Sequence, residues 1–216
     1  MLNDEKTLFI GILIGILFVL TSLSIFFKYK PARVNTGIKF LNVETIIDIE
    51  DVTGKVVKIT ENQLLRSLIK NKYHIIEPLQ TDGYILYESI VVEPGEIEDI
   101  KKKEGIIYVK SNFGHPLQKD EVISRSFSYV SNDSFISDNE YWVRRNSSET
   151  DKFKILVKFP DDRKYKSFVG MEKYLSYDEI CQVQPKEIII DSRYCLLWEL
   201  ENIDNTQYSY RLEWTW

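Results

Sequence analysis

The segment KFKILVKF, from Lys152 to Phe159, decides the fold class of this chain of 216 residues. Its apolar and charged residues alternate: Phe153, Ile155, Val157 and Phe159 share one face, and Lys152, Lys154 and Lys158 share the other. An alternation with a period of two is typical of a β-strand that turns one face to a core and the other to water. The segment therefore predicts a sheet that packs over a hydrophobic core.

The same alternation occurs at the C-terminal end of the sequence. There the residues of one face are aromatic or apolar, namely Tyr208, Tyr210, Leu212, Trp214 and Trp216. Between the two segments, residues 187–190 and 195–200 predict a hairpin that turns at Asp191, Ser192 and Arg193. Together with apolar runs upstream, these segments make about ten predicted strands at short spacing.

This spacing favours an all-β fold, an immunoglobulin-like antiparallel β-sandwich. The Cys and Trp spacing of immunoglobulin domains proper is absent from the sequence. A closed barrel is the alternative, because aromatic-rich strands can also enclose a ligand cavity.

One short helix is also predicted, from Glu61 to Lys70. Thr60 and Gln63 form a capping-box pattern. The apolar residues that follow have helical spacing, namely Leu64, Leu65, Leu68 and Ile69.

Residues 8–27, LFIGILIGILFVLTSLSIFF, contain no charged residue and are long enough to span a bilayer as a helix. The leader, residues 1–7, has no basic region of the kind that begins a cleaved signal peptide. The sequence therefore predicts a retained, single-pass N-terminal membrane anchor. We divide the chain into this leader, the transmembrane helix 8–27, a juxtamembrane linker 28–36 and a β-sandwich domain 37–216.

The charges beside the predicted span indicate its orientation. Lys6 alone precedes the span, whereas Lys28, Lys30, Arg33 and Lys39 follow it. Because basic residues remain on the cytoplasmic side, the domain is expected to face the cytoplasm. An extracytoplasmic domain is the alternative.

Gly11 and Gly15 form a G-x-x-x-G pattern within the span. Two glycines four residues apart lie on one helix face and allow a second helix to approach closely. Gly11 and Gly15 are therefore candidates for a transmembrane pairing face that would make the protein a homodimer.

Charge and cysteine content exclude several classes of partner and cofactor. Residues 34–216 contain 24 Lys and Arg against 31 Asp and Glu, a net charge of -7, so nucleic acid is not expected as a partner. The two cysteines, Cys181 and Cys195, are too few for a disulfide scaffold. A cross-strand disulfide between them stays open as an alternative.

No catalytic, metal-binding or cofactor-binding motif is found in the sequence. The two histidines, His74 and His115, have no neighbouring Cys or His that would complete a zinc site. A Gly-rich phosphate loop and a nucleophile motif are both absent. We therefore expect no metal, no cofactor and no enzymatic activity.

Tyr174 and Tyr177 are the candidate binding residues, because they fall out of phase with the inward-facing aromatic residues. The leading hypothesis is a membrane-anchored, non-catalytic binding or scaffolding module that recognises a protein or a small ligand. An extracytoplasmic envelope domain and a small-ligand sensor with a pocket between its sheets are the alternatives.

Overall fold

The structure is a computed structural model that describes residues 35, 37–145, 148–174, 177–201, 203 and 209–216. The predicted leader, transmembrane helix and most of the linker lie outside these residues. All regular elements of the described part are strands. No helix found there is long and apolar enough to cross a bilayer.

The strands of the described part have the following bounds: β1 Ile38–Ile49, β2 Val56–Ser67, β3 Lys72–Leu79, β4 Tyr84–Glu93, β5 Ile97–Lys103, β6 Ile106–Leu117, β7 Val122–Asn132, β8 Asn139–Arg145, β9 Glu149–Thr150, β10 Lys152–Lys158, β11 Ser167–Tyr174, β12 Tyr177–Ile180, β13 Lys186–Ile190, β14 Arg193–Glu201 and β15 Ser209–Thr215.

Eight strands form the largest sheet, in the order β13-β14-β10-β1-β2-β7-β4, with β9 beside β1. Strands β1 and β10 run parallel, with Val43 opposite Phe153. Strands β1 and β2 run antiparallel, as do β2 and β7. The large sheet is therefore mixed, and its centre is the long pair of β1 and β2.

Two smaller antiparallel sheets complete the sandwich. One has three strands in the order β3-β6-β5, and the other has four in the order β12-β11-β15-β8. The ring of Phe153 in β10 lies 5.0 Å from that of Tyr210 in β15, and the ring of Phe159 lies 5.8 Å from that of Trp214. Aromatic packing therefore joins the large sheet to the four-stranded sheet.

The strand predicted from the alternation between Lys152 and Phe159 is confirmed as β10. Its apolar face, Phe153, Ile155, Val157 and Phe159, is buried. The C-terminal strand is confirmed as β15, and the predicted hairpin as β13 and β14. The hairpin turn places Asp191 and Ser192 at φ values of 50° and 68°.

The predicted helix from Glu61 to Lys70 is wrong, because most of this segment belongs to β2. Gln63 and Leu65 are buried, whereas Leu64 and Leu68 are exposed, which is the period of a strand. Hydrogen-bonded neighbours on both sides, β1 and β7, override the helical spacing of four apolar residues.

The layout also differs from the immunoglobulin-like antiparallel sandwich and from the closed barrel. The large sheet is open, with β13 and β4 at its ends, and two separate sheets cover it. It also contains the parallel pair of β1 and β10. Alternation indicates which face of a strand is buried, but it does not determine which strands pair, so the coarse sandwich was predictable and the sheet order was not.

Asn35 fastens the beginning of the described chain to β3. Its side-chain Nδ2 donates to the carbonyl of Ile76 at 2.8 Å, and its Oδ1 accepts the Ile76 N–H at 2.9 Å. Ser148 Oγ donates to the Asn35 carbonyl at 2.6 Å. The amide of Asn35 thus makes the two hydrogen bonds that a neighbouring strand would make with β3.

The neighbours Leu64 and Leu65 test the assignment of β2 as a strand. Leu65 is 0% exposed and Leu64 is 38% exposed. We expect Leu65→Ala to lower the free energy of unfolding by about 2–4 kcal/mol through the cavity it leaves. Leu64→Ala should lower it by about 0.5 kcal/mol or less. Urea unfolding followed by tryptophan fluorescence measures both, and equal losses would contradict the strand register.

Candidate functional site

A polar network lies where the three sheets meet, and its side chains come from five strands. We call it the junction network, and it consists of Glu61 and Gln63 of β2, Glu77 of β3, Ser111 of β6, Arg125 of β7 and Arg144 of β8. Charged side chains are rarely buried unless they are paired, so this group is the first candidate for a functional site.

Arg125 is the centre of the junction network, and its side chain is 0% exposed. Its Nη2 donates to Ser111 Oγ at 2.6 Å and to Glu77 Oε2 at 3.3 Å. Its Nη1 donates to Gln63 Oε1 at 3.1 Å and to Glu77 Oε1. The paired contacts with Glu77 give the bidentate geometry in which guanidinium and carboxylate interact most strongly.

The network continues from Arg125 to the four-stranded sheet. Gln63 Nε2 donates to Glu61 Oε2 at 3.1 Å, and Arg144 Nη1 donates to Glu61 Oε1 at 2.6 Å. Two guanidinium groups thus balance two carboxylates in this interior, and Gln63 joins the two ion pairs.

Burial raises the pKa of the Glu77 carboxyl above its usual range, and the positive charge of Arg125 acts against this rise. Both carboxylate oxygens of Glu77 already accept hydrogen bonds from network side chains. Four of its six side chains are buried, and all six are bonded within the network, so the junction network holds the sheets together rather than presenting a reactive group to a substrate.

A second polar cluster occupies one end of the sandwich, which we call the acidic end. It is formed by the loops 51–55, 80–83, 133–138 and 160–163. The Phe135 N–H donates to the Gly54 carbonyl at 3.1 Å, and Arg163 Nη1 donates to the Val52 carbonyl at 2.9 Å. These loops contain six Asp residues against Lys55 and Arg163: Asp51, Asp82, Asp133, Asp138, Asp161 and Asp162.

Glu140 of β8 lies beneath the acidic end, opposite Trp214 of β15, and is 5% exposed. Burial raises its pKa from 4.5 to about 7, and Asp82 adds to the rise, whereas the hydrogen bond from the Ser137 N–H opposes it. The guanidinium of Arg163 lies 3.8 Å from the centre of the Trp216 ring. The acidic end therefore combines a carboxyl that titrates near neutral pH with an aromatic floor.

The histidines do not form a metal centre. His74 pairs with Glu98 at 2.8 Å, and His115 pairs with Glu121 at the same distance. No group of three His, Cys, Asp or Glu residues within the described ranges could hold a metal ion.

The sequence-predicted site residues have different outcomes. Gly11 and Gly15 lie outside the described residues, so transmembrane pairing stays a prediction. Tyr174 ends β11 and Tyr177 begins β12, where their backbones are partners across the hairpin. Their side chains lie outside the described part, so a binding role for them also stays a prediction. Cys181 and Cys195 are buried and free, without a disulfide.

Sequence reasoning missed the junction network and Glu140. Arg125 had a readable signal, because it occupies an inward position in phase with Phe127 and Tyr129. A charged residue at a core position of an alternating strand indicates a buried partner. Glu77 and Gln63 had no such signal, since their approach to Arg125 depends on the packing of separate sheets.

No known family model matches the chain. No curated protein matches it either.

Solved structures do resemble the chain in fold. An M1 zinc metallopeptidase of Deinococcus radiodurans, a mutant bound to the substrate Tyr-Ser-Ala, has a TM-score of 0.50 at 7% identity, over 82% of this chain and 42% of that one. A two-domain M1 zinc metallopeptidase mutant bound to L-arginine has a TM-score of 0.52 at 8% identity, over 85% and 44%. A protease-like protein of Parabacteroides distasonis has a TM-score of 0.50 at 9% identity, over 84% and 41%. This chain spans less than half the length of these proteins.

These likenesses overturn the predicted non-catalytic binding or scaffolding module, because the β fold is one that zinc peptidases carry. They also give no support to an envelope domain or a small-ligand sensor. The prediction failed because one fold can carry many functions, so a missing catalytic motif does not decide what a domain does.

The zinc that the M1 metallopeptidases are named for does not fit the described residues of this chain. Its two histidines are tied to separate carboxylates, and the H-E-x-x-H pattern of zinc peptidases is absent from the sequence.

Removal of Arg125 should expose the energetic role of the junction network. Arg125→Met leaves the Glu77 carboxylate buried without its partner, so we expect the free energy of unfolding to fall by about 3–5 kcal/mol. Adding Glu77→Leu should recover most of this loss. Lys152→Met, which breaks the exposed pair with Glu201, serves as the control and should cost about 1 kcal/mol or less. Urea unfolding measures all three, and a double variant no more stable than Arg125→Met would count against the pairing.

Glu140 should make the stability depend on pH. Because its folded pKa of about 7 exceeds the ordinary value of 4.5, the folded state binds the proton more tightly. Its contribution to stability is present below about pH 4.5 and is lost as the pH rises through 7, by up to about 3 kcal/mol. Glu140→Gln keeps the acceptor for the Ser137 N–H. Its free energy of unfolding, relative to that of the wild type, should therefore rise by this amount between pH 4.5 and 8. Parallel pH profiles of unfolding would contradict the raised pKa.

Proposed function

We propose that the chain is the β domain of a membrane-tethered peptidase of the zinc type. It would handle peptides beside a catalytic part that carries the zinc. The observation that carries this proposal is the likeness in fold to M1 zinc metallopeptidases, with TM-scores of 0.50 to 0.52 over 82–85% of this chain. The shared part is 42–44% of those proteins, which leaves room in them for a second part.

The chemistry of the described residues supports a peptidase in which the zinc is held by another part. A zinc peptidase needs three protein ligands and an open coordination position, and the described His, Cys and carboxylate groups do not converge in this way. The zinc of such a peptidase would therefore be held outside the described residues of this chain, and this chain would handle the peptide beside it.

The location of this domain in the cell is inferred from the sequence. The apolar segment 8–27 supports an integral, single-pass location in the cell membrane, and the four basic residues after it support a domain on the cytoplasmic side. The net charge of -7 beyond the anchor argues against nucleic acid as a partner. Pairing through Gly11 and Gly15 would make the assembly a homodimer.

Loss of the chain should remove a peptidase activity from the membranes of its source cell. We expect hydrolysis of the tripeptide Tyr-Ser-Ala by washed membranes, abolished by a zinc chelator and restored by zinc, to fall when the gene is deleted. Expression of the wild-type chain should restore it. The purified full chain alone should hydrolyse no tripeptide with zinc present, because the described residues lack a zinc site. Unchanged membrane activity after deletion, or zinc-dependent hydrolysis by the chain alone, would contradict the proposal.

A further inference from the structure

We propose that one corner of the domain docks on the surface of an anionic lipid bilayer. We call it the N-terminal corner, and it consists of Gly37, residues 64–70 and residues 118–122. This inference rests on the membrane anchor predicted from residues 8–27 and goes beyond the proposed peptidase role, on which it does not depend.

Hydrogen bonds join the parts of the N-terminal corner into one surface. The Leu68 N–H donates to the Gly37 carbonyl at 2.9 Å, beside the start of β1. The Ser67 N–H donates to the Glu121 carbonyl at 2.9 Å, and the Asp120 N–H donates to the Ser67 carbonyl at 2.8 Å. The turn after β2, the turn before β7 and the N-terminal end of the described chain therefore meet at one place.

Four large apolar side chains are exposed at this corner: Leu64 at 38%, Leu68 at 38%, Ile69 at 48% and Val122 at 46%. Val122 pairs with Arg66 across the β2–β7 ladder, one alternation away from Leu64. Exposed apolar residues scattered singly are normal on a soluble surface, whereas a group of them on adjoining strands and turns marks an interaction site.

Basic residues accompany these apolar side chains. Arg66, Lys70 and Lys119 are exposed. The acidic residues of the corner are Asp120 and Glu121, and Glu121 is bound to His115 at 2.8 Å. Apolar side chains beside Lys and Arg match the interface of a bilayer that contains anionic lipids.

The opposite end of the same strands has the opposite charge. Strand β2 runs from the acidic end, where the loop 51–55 precedes it, to the N-terminal corner. Strand β7 runs the other way and leads into the loop 133–138 of the acidic end. Anionic lipid would thus attract one end of the domain and repel the other, which favours a single orientation.

Chain length keeps this corner close to the membrane. Seven residues, 28–34, separate the predicted span from Asn35, which is fixed to Ile76. Even fully extended, seven residues reach only about 25 Å. A surface held within this distance has a high effective concentration at the bilayer, so a modest attraction is enough for docking.

The test uses the full chain, labelled with a polarity-sensitive fluorophore and inserted in vesicles of phosphatidylcholine with phosphatidylglycerol. Gln118→Cys places the label at the corner, and Asp162→Cys places it at the acidic end. The buried Cys181 and Cys195 give the labelling background, which the unaltered chain measures. Spin-labelled lipid headgroups should quench the label at position 118 and leave the label at position 162 unquenched.

Two matched pairs of variants in the Gln118→Cys chain separate the contribution of the apolar residues to docking from that of the basic residues. Leu68→Ser with Ile69→Ser should abolish the quenching, whereas Ile180→Ser with Ile189→Ser, exposed apolar residues of β12 and β13, should not change it. Arg66→Gln, Lys70→Gln and Lys119→Gln together should weaken docking about tenfold or more. The control changes three exposed lysines of β5, Lys101, Lys102 and Lys103, to Gln and should have no effect.

Vesicle flotation measures insertion of the anchor, whereas quenching measures docking of the N-terminal corner. A chain that floats with the vesicles, with equal quenching at both positions or none at position 118, would overturn the docking and leave the anchor intact. Equal quenching in vesicles without phosphatidylglycerol would also overturn the proposal. So would protection of the corner by a protein partner without quenching by lipid.

Discussion

The buried pair of Arg125 and Glu77 is the interaction on which the placement of the sheets depends. Apolar contacts across a sandwich are not directional and tolerate small shifts between layers. The guanidinium of Arg125 bonds both oxygens of one carboxylate and also contacts Ser111 and Gln63, so its hydrogen bonds allow only small shifts between the layers. Desolvation of both charges is expensive, so only the arrangement that satisfies them remains favourable. The large sheet and the three-stranded sheet are therefore held in one register.

The sequence was most informative where alternation is long and its inward residues are apolar. Strands β10 and β15 and the hairpin of β13 and β14 were predictable, because each carries its pattern within one segment. The segment from Glu61 to Ser67 was not, because Gln63 and Glu61 occupy inward positions that a hydrophobic pattern reads as exposed. The same polar residues that build the junction network thus hid the strand that carries them.

The candidate sites were harder to predict from the sequence than the strands were. Arg125 stood out in phase with Phe127, but the partners that neutralise it come from β2, β3 and β6, which local patterns cannot bring together. Glu140 follows Asp138 and Asn139, residue types common in turns, whereas its burial against Trp214 depends on the pairing of β8 with β15. Function was the weakest inference, because a missing catalytic motif does not exclude a fold that zinc peptidases also carry.

The side chain of Asn35 has a mechanical consequence. A pull on the chain at one end of a strand usually breaks the hydrogen bonds of that strand one after another. Here the amide of Asn35 bonds both polar groups of Ile76, and Ser148 holds its carbonyl. A force that pulled on the chain at Asn35 would therefore act on β3 as well as on β1, which begins at Ile38. Two sheets would then carry the load together, and β1 would bear only part of it.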